Sequence, residues 1–181
     1  PATTEIYTLS LHDALPICGA GTMGFALPAA IGAQFGRPKD TVLAFCGDGG
    51  FQMTMSELAT AAIHRLPIKI VILNNHYLGM VRQWQELFYD DRKSGVDLLG
   101  NPDFVKLAQA FEGVKAFNLK RGADVRKILS RALAYNDGPA LINAEVEKTD
   151  NVFPMVPAGR PLEDMLVERP RHKMEKPTGS T

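Results

Sequence analysis

Residues 41–50 read TVLAFCGDGG. Thr41 to Cys46 form the nearly all-apolar run that a parallel strand covered on both faces requires, and glycines around a single carboxylate, Asp48, follow at once. Residues 68–75, IKIVILNN, repeat the plan as a second buried strand that stops on two amides. Helical and strand-like stretches alternate on either side. FALPAAIGAQFG (25–36) reads as a helix with Pro28 in its first turn, where a missing amide is tolerated, and Gly36 at its end. A helix is expected from about Thr54, with Thr54 and Glu57 at capping-box spacing ahead of Leu58, Ala61 and Ala62. MVRQWQELF (80–88) reads as an amphipathic helix. Asn101 and Pro102 open another that Gly113 closes. VKAFNL (114–119), a helix over 123–135 and ALINAEV (140–146) complete the alternation. Right-handed crossovers turn that order into an α/β fold, a doubly wound parallel sheet with helices on both faces.

Ligands of such sheets bind at the carboxyl ends of strands. One end here offers Gly47, Asp48, Gly49 and Gly50. A carboxylate flanked by residues without side chains lets backbone amides approach an anion closely, and the next helix aims its N-terminus there. The other end, Asn74-Asn75-His76-Tyr77, offers neutral oxygens. One carboxylate, amide and backbone carbonyls, diphosphate oxygens and water make the octahedral oxygen shell that Mg2+ prefers. Either loop alone reads equally well as a turn or a helix entry. Together, at the ends of two buried strands, they describe a site for Mg2+ and a diphosphate.

GDG followed by NN is the thiamine-diphosphate motif. The chain resembles that family, and within it the large catalytic subunit of acetolactate synthase (acetohydroxyacid synthase), over about residues 19–168. The stretches that carry the likeness are GTMGFALPAAIGAQ, GDGGFQMTMSELATA, KIVILNNHYLGMVRQWQELFY and NVFPMVPAG. The resemblance implies that Asp48 and Asn75 bind the metal by side chain and Tyr77 by its main-chain carbonyl. It also implies that Gly49 and Gly50 give amides to the diphosphate. Met23 would wedge the cofactor into a bent form, with Gly21 and Met23 bonding its pyrimidine through the main chain. Thr22, Gly47, Leu78, Gly79 and Met80 would complete the cofactor contacts. Met80, Val81, Trp84 and Phe88, at i, i+1, i+4 and i+8, would wall the substrate channel, although the spacing alone equally describes a core stripe.

By the same resemblance the whole enzyme is a transferase of branched-chain amino acid biosynthesis. It decarboxylates pyruvate and joins the two-carbon unit to a second 2-keto acid. It works as a homodimer or larger assembly, with FAD held mostly by other domains and a regulatory small subunit as a further partner. The family's pyrimidine-binding glutamate belongs to a partner domain. This chain by itself is therefore expected to be inactive.

Other readings remain. Related thiamine-diphosphate carboligases, oxidases and decarboxylases share the first three stretches in looser form. Gly19, Gly21 and Gly24 also fit G-x-G-x-x-G, with Asp48 at the distance of a ribose-binding acid, as in a dinucleotide-binding dehydrogenase. That fingerprint needs a buried strand before the first glycine, and HDALPIC is a poor one. A non-catalytic domain that keeps the fold is the third class. Lysine plus arginine and aspartate plus glutamate number 20 each, so no global field argues for nucleic acid or an anionic membrane. Cys18 and Cys46 lack the number and spacing of a disulfide or zinc framework. His64 and His76 have no partner at ligand spacing, and Lys69 reads as a strand-end residue. The expected location is cytoplasmic in a bacterium or organellar in a eukaryote. Residues 1–17 resemble translated adapter sequence and are set apart from a cofactor domain at 18–149. An arm over the active site, 150–168, and a disordered tail, 169–181, follow.

Overall fold

The computed structural model describes residues 7–9 and 22–170. Two compact units share the chain, one of residues 1–75 and 100–146, the other of 76–99 and 147–181.

The first unit holds strands β1 (Tyr7–Leu9), β2 (Val42–Gly47), β3 (Lys69–Asn74), β4 (Lys115–Leu119) and β5 (Ala140–Glu145), in the spatial order β1-β2-β3-β5-β4. All pairs are parallel. β1 falls inside the stretch set apart by its composition, and Tyr7 to Leu9 run beside Val42 to Ala44. The helices are α1 (Ala26–Gly36), α2 (Asp48–Thr54), α3 (Leu58–Ile63), α5 (Phe104–Gln109) and α6 (Val125–Leu133); the label α4 is kept for the second unit.

Side chains alternate across the sheet and build two cores. Val42, Ala44 and Cys46 of β2 with Ile70 and Ile72 of β3 pack under α1, α2, α3 and α5. Val71, Ala140, Ile142 and Ala144 face the other way, against Ala132, Ile128 and Leu129 of α6. Each fully buried aliphatic side chain contributes about 1.5–3 kcal/mol of transfer free energy, so both faces are strongly specified. Gly47 pairs with Leu73 and Leu73 with Ala144, which sets the carboxyl ends of the three central strands side by side.

Two local expectations are corrected. The helix after β2 starts at Asp48, not Thr54, so Gly47 ends the strand and Asp48, Gly49 and Gly50 form the first turn of the helix, with no loop between. No capping box forms: the Thr54 hydroxyl donates to the Gly24 carbonyl at 3.0 Å, and Glu57 accepts from the Thr60 hydroxyl. A tertiary contact has taken the side chain that a local cap would have used. Likewise Asp103, not Asn101, caps α5 by accepting from the amides of Val105 and Lys106, and Asn101 is left for another role.

The second unit contains α4 (Gly79–Phe88), and a short 3-10 turn at Leu162–Asp164. Tyr77 bridges Asp97 and Met155 bridges Leu166, both antiparallel.

Candidate functional site

In the first unit the GTMG turn and GDGG meet. Gly24 has φ +87, and a Cβ there would stand 3.2 Å from Met53 and Thr54 side-chain atoms. A Cβ on Gly50 would lie 3.8 Å from the Gly24 nitrogen. The positive φ and the tight approach to Met53 and Thr54 call for glycine at position 24, where the turn rests on the end of α2, whereas the distance at Gly50 is an ordinary van der Waals contact. Thr22 and Met23 are half-buried beside it. Gly21 and Cys18 lie outside the described residues.

Asp48 is 1% exposed. Its Oδ2 accepts from Asn101 Nδ2 at 2.6 Å, and no lysine, arginine or histidine pairs with it among the described residues. Asn101 Nδ2 also donates to Asn74 Oδ1 at 3.2 Å, and Asn101 Oδ1 accepts from Gln52 Nε2 at 2.7 Å. Buried Asn74 donates on to Asn143 Oδ1 at 3.1 Å, and Asn143 to Asn118 Oδ1 at 3.3 Å. A row of amides thus crosses the carboxyl end of the sheet from α2 to edge strand β4.

In the second unit, His76 adopts φ 58, and the segment after it pairs with residues 96–98. Leu98 N donates to His76 O and Leu78 N to Val96 O, both at 2.9 Å. Tyr77 and Asp97 are therefore the non-bonded pair of this bridge, and the Tyr77 carbonyl points away from the 96–98 segment. Leu78 and Gly79 lead directly into α4. That helix inverts the usual pattern. Met80 and Val81 are 40% and 48% exposed, while Arg82 and Gln83 are buried. Met80 and Val81 are thus no core stripe. Trp84 is half-buried, and its ring meets Phe88 edge-on at 5.6 Å. Phe88, 3% exposed, stands behind Trp84 and offers no wall surface of its own.

The profile of the family described as "Thiamine pyrophosphate enzyme, C-terminal TPP binding domain" matches residues 7–144. The chain belongs to this family. It is 48% identical over 148 residues to the acetolactate synthase isozyme 2 large subunit of Escherichia coli K12, covering 82% of this chain and 27% of that protein. It is 46% identical over 153 residues to the acetolactate synthase large subunit of Pyropia yezoensis, covering 84% and 26%. The chain thus spans about a quarter of the length of the curated relatives it matches. Among solved structures, a thiamine diphosphate-dependent 4-hydroxybenzoylformate decarboxylase of Rhodococcus jostii RHA1 superposes with a TM-score of 0.63 at 31% identity. The match covers 72% of this chain and 24% of that one. The dinucleotide-binding reading falls with this match.

As a thiamine-diphosphate domain, the chain has a donor set that fits a divalent ion. A buried carboxylate without a cation is costly, and a bound metal removes that cost. The described residues hold no group of three or more His, Cys, Asp or Glu suited to a transition metal, whereas one carboxylate among amides and carbonyls suits hard Mg2+. Cys46, next to last in β2, is buried, and burial first, then the Asp48 charge, push its thiol up to about 12, which does not suit a nucleophile. Lys69 opens β3 at the far end of the sheet and is buried, its amine donating to Tyr135 O and, at 3.5 Å, to Asn136 Oδ1. His64 is exposed with its ring edge-on to Phe35.

Sequence reasoning missed Gln52, Asn101, Asn118 and Asn143. Asn143 did leave a trace, because it interrupts the otherwise apolar strand ALINAE, and a buried amide needs a partner.

Proposed function

We propose that this chain is the cofactor domain of an acetolactate synthase, holding thiamine diphosphate through Mg2+ so that pyruvate can be decarboxylated and its two-carbon unit passed to a second 2-keto acid. The observation that carries the reading is Asp48, a buried carboxylate with no cationic partner among the described residues, placed after β2 beside the glycine turn. Asp48 and Asn75 by side chain, and Tyr77 by its carbonyl, hold the metal. Gly47, Gly49 and Gly50 admit the diphosphate close to the backbone, since the first-turn amides of a helix have no acceptor within it. Gly21, Thr22 and Met23, with Leu78, Gly79 and Met80, cradle the organic part.

When bound, thiamine diphosphate supplies a carbanion at its thiazolium C2, with its own exocyclic amine as the base. The protein's share is to orient and to exclude water. Met23 would pack against the organic part of the cofactor and hold it in the conformation its chemistry needs. Exposed Met80 and Val81, with Trp84 backed by Phe88, form apolar surface for the keto acid's side chain. Acetolactate synthase is preferred to other thiamine-diphosphate enzymes because both curated relatives above carry that name and because GMVRQWQELFY and FPMVPAG match that family.

Exposed Phe25, Phe35, Met53 and Ile63 on the first unit support a homo-oligomer. FAD and a regulatory small subunit belong to this proposal through the whole enzyme only. No helix of the described residues is long and apolar enough to cross a membrane.

The test is calorimetric titration of the chain with thiamine diphosphate in Mg2+. Asp48→Ala should weaken binding at least ~100-fold, about 2.7 kcal/mol. An unchanged titration moves the site elsewhere and sinks the proposal.

A further inference from the structure

The carboxylate of Asp48 decides how the whole amide row is oriented. An ionised carboxyl group only accepts hydrogen bonds, so the Asn101 atom 2.6 Å from Oδ2 must be the nitrogen. Asn101 Oδ1 then faces Gln52, which must donate, and does so at 2.7 Å. The second hydrogen on Asn101 Nδ2 reaches Asn74 Oδ1, which turns the Asn74 nitrogen toward Asn143 and that of Asn143 toward Asn118. Every link has one polarity, and no flip of a single amide is possible without setting oxygen against oxygen or nitrogen against nitrogen. Asn101 is therefore locked from both ends, by the carboxylate it serves and by Gln52. In turn it occupies one of the two oxygens of Asp48.

We infer that Asn101 is a positioning residue which, by engaging Oδ2, makes Asp48 a one-oxygen ligand and thereby favours Mg2+ over Ca2+ at this site. The inference rests on the proposed metal-binding role of Asp48. Its physical ground is the difference between the two ions. Mg2+ demands six ligands in a tight octahedron, which a carboxylate enters through one oxygen. Ca2+ accepts six to eight, and readily takes both oxygens of one carboxylate. A carboxylate whose second oxygen accepts from an amide held on both sides must give up that bond to turn and offer both oxygens to one ion. Removing the amide frees that oxygen. Ca2+ gains a ligand, while Mg2+ loses only the orientation of the one it uses.

The experiment measures Mg2+ and Ca2+ affinities of the full chain by calorimetry with thiamine diphosphate present, for the wild type, Asn101→Ala and Asp48→Ala. In Asn101→Ala, Mg2+ binding should weaken by about tenfold or more, in the range seen when a residue orienting a metal ligand is lost. Ca2+ should weaken less or tighten, so that the ratio of the two dissociation constants moves about tenfold toward Ca2+. A merely structural role would lower both affinities together, and an unmoved ratio overturns the inference, as does an unmoved pair of affinities. If Asn101→Ala gives no cooperative thermal transition, Gln52→Leu is read instead. It removes the outer lock but leaves Asn101 in place, and should move the ratio in the same direction by about threefold, less than direct loss of the orienting residue. A ratio unchanged there overturns the inference equally. Asp48→Ala separates the two levels: if it leaves both metals bound as before, the site itself is misassigned, whereas loss of binding there with a normal ratio in Asn101→Ala removes only the role of Asn101.

Discussion

Replacing Arg82 by leucine should release the C-terminal segment from α4. Arg82 is 1% exposed, and its guanidinium pairs with Glu86 at 2.8 Å. It also donates to the carbonyls of Thr149 at 3.1 Å and Asp150 at 3.0 Å, and to Asn151 Oδ1. Hydrogen bonds to a charged group are worth roughly 1.5–3 kcal/mol each but do not add, and breaking a buried ion pair from one side costs about 3–5 kcal/mol. Two features lower the figure. Arg82 Nε has no partner among the described residues, so one buried donor is already unsatisfied. Glu86 also keeps Arg169 at 2.7 Å and Asn151 at 3.2 Å after the change. About 3 kcal/mol remains, equivalent to roughly 100-fold in a local opening equilibrium. The assay is hydrogen exchange at the Val152 amide. That amide donates to Gln83 Oε1 at 2.7 Å, a bond the substitution leaves intact, so faster exchange there reports opening of the whole segment and not loss of its own acceptor. Exchange at Val152 within threefold of the wild type would refute the reasoning, because Gln83 would then hold the segment unaided.

Burial lowers the Lys69 amine to about 8 from 10.5, so the unfolded chain binds more protons than the folded one between those values. Stability should therefore rise with pH across that window, and Lys69→Met should abolish the rise; parallel denaturation curves for both proteins above and below the window decide it. Trp84→Leu, in the full-length enzyme, should shift the preference between second 2-keto acids while costing less than the ~3–5 kcal/mol of a fully buried aromatic. Unchanged selectivity with a large loss of melting temperature would make Trp84 a core residue.

Most of the sheet was legible in the sequence because β2, β3 and β5 are short, largely apolar runs and the helix over 25–36 carries its own start and stop residues, whereas β4, KAFNL, shows no such run. TVLAFC and IKIVIL lie within one residue of β2 and β3, and ALINAEV contains β5. GDGG and NN stood out only as a pair: either alone reads as a turn or a helix entry, whereas glycines around one carboxylate and two amides at the ends of two buried strands together suggest a ligand. Local rules failed at Thr54 and Asn101, and for one cause. Each reads as a helix cap at short range, yet each side chain is taken by a residue far away in the chain, Gly24 for Thr54 and Asp48 for Asn101. The amide row from Gln52 to Asn118 joins five segments of the chain that no sequence period connects. Its members can be recognised only once the register of the sheet has set those segments side by side. The exposed apolar and buried polar sides of α4 were decided the same way. Amphipathic spacing shows that a helix has two faces, but the carbonyls of Thr149, Asp150 and Val152, which need donors, determined that the polar face is buried.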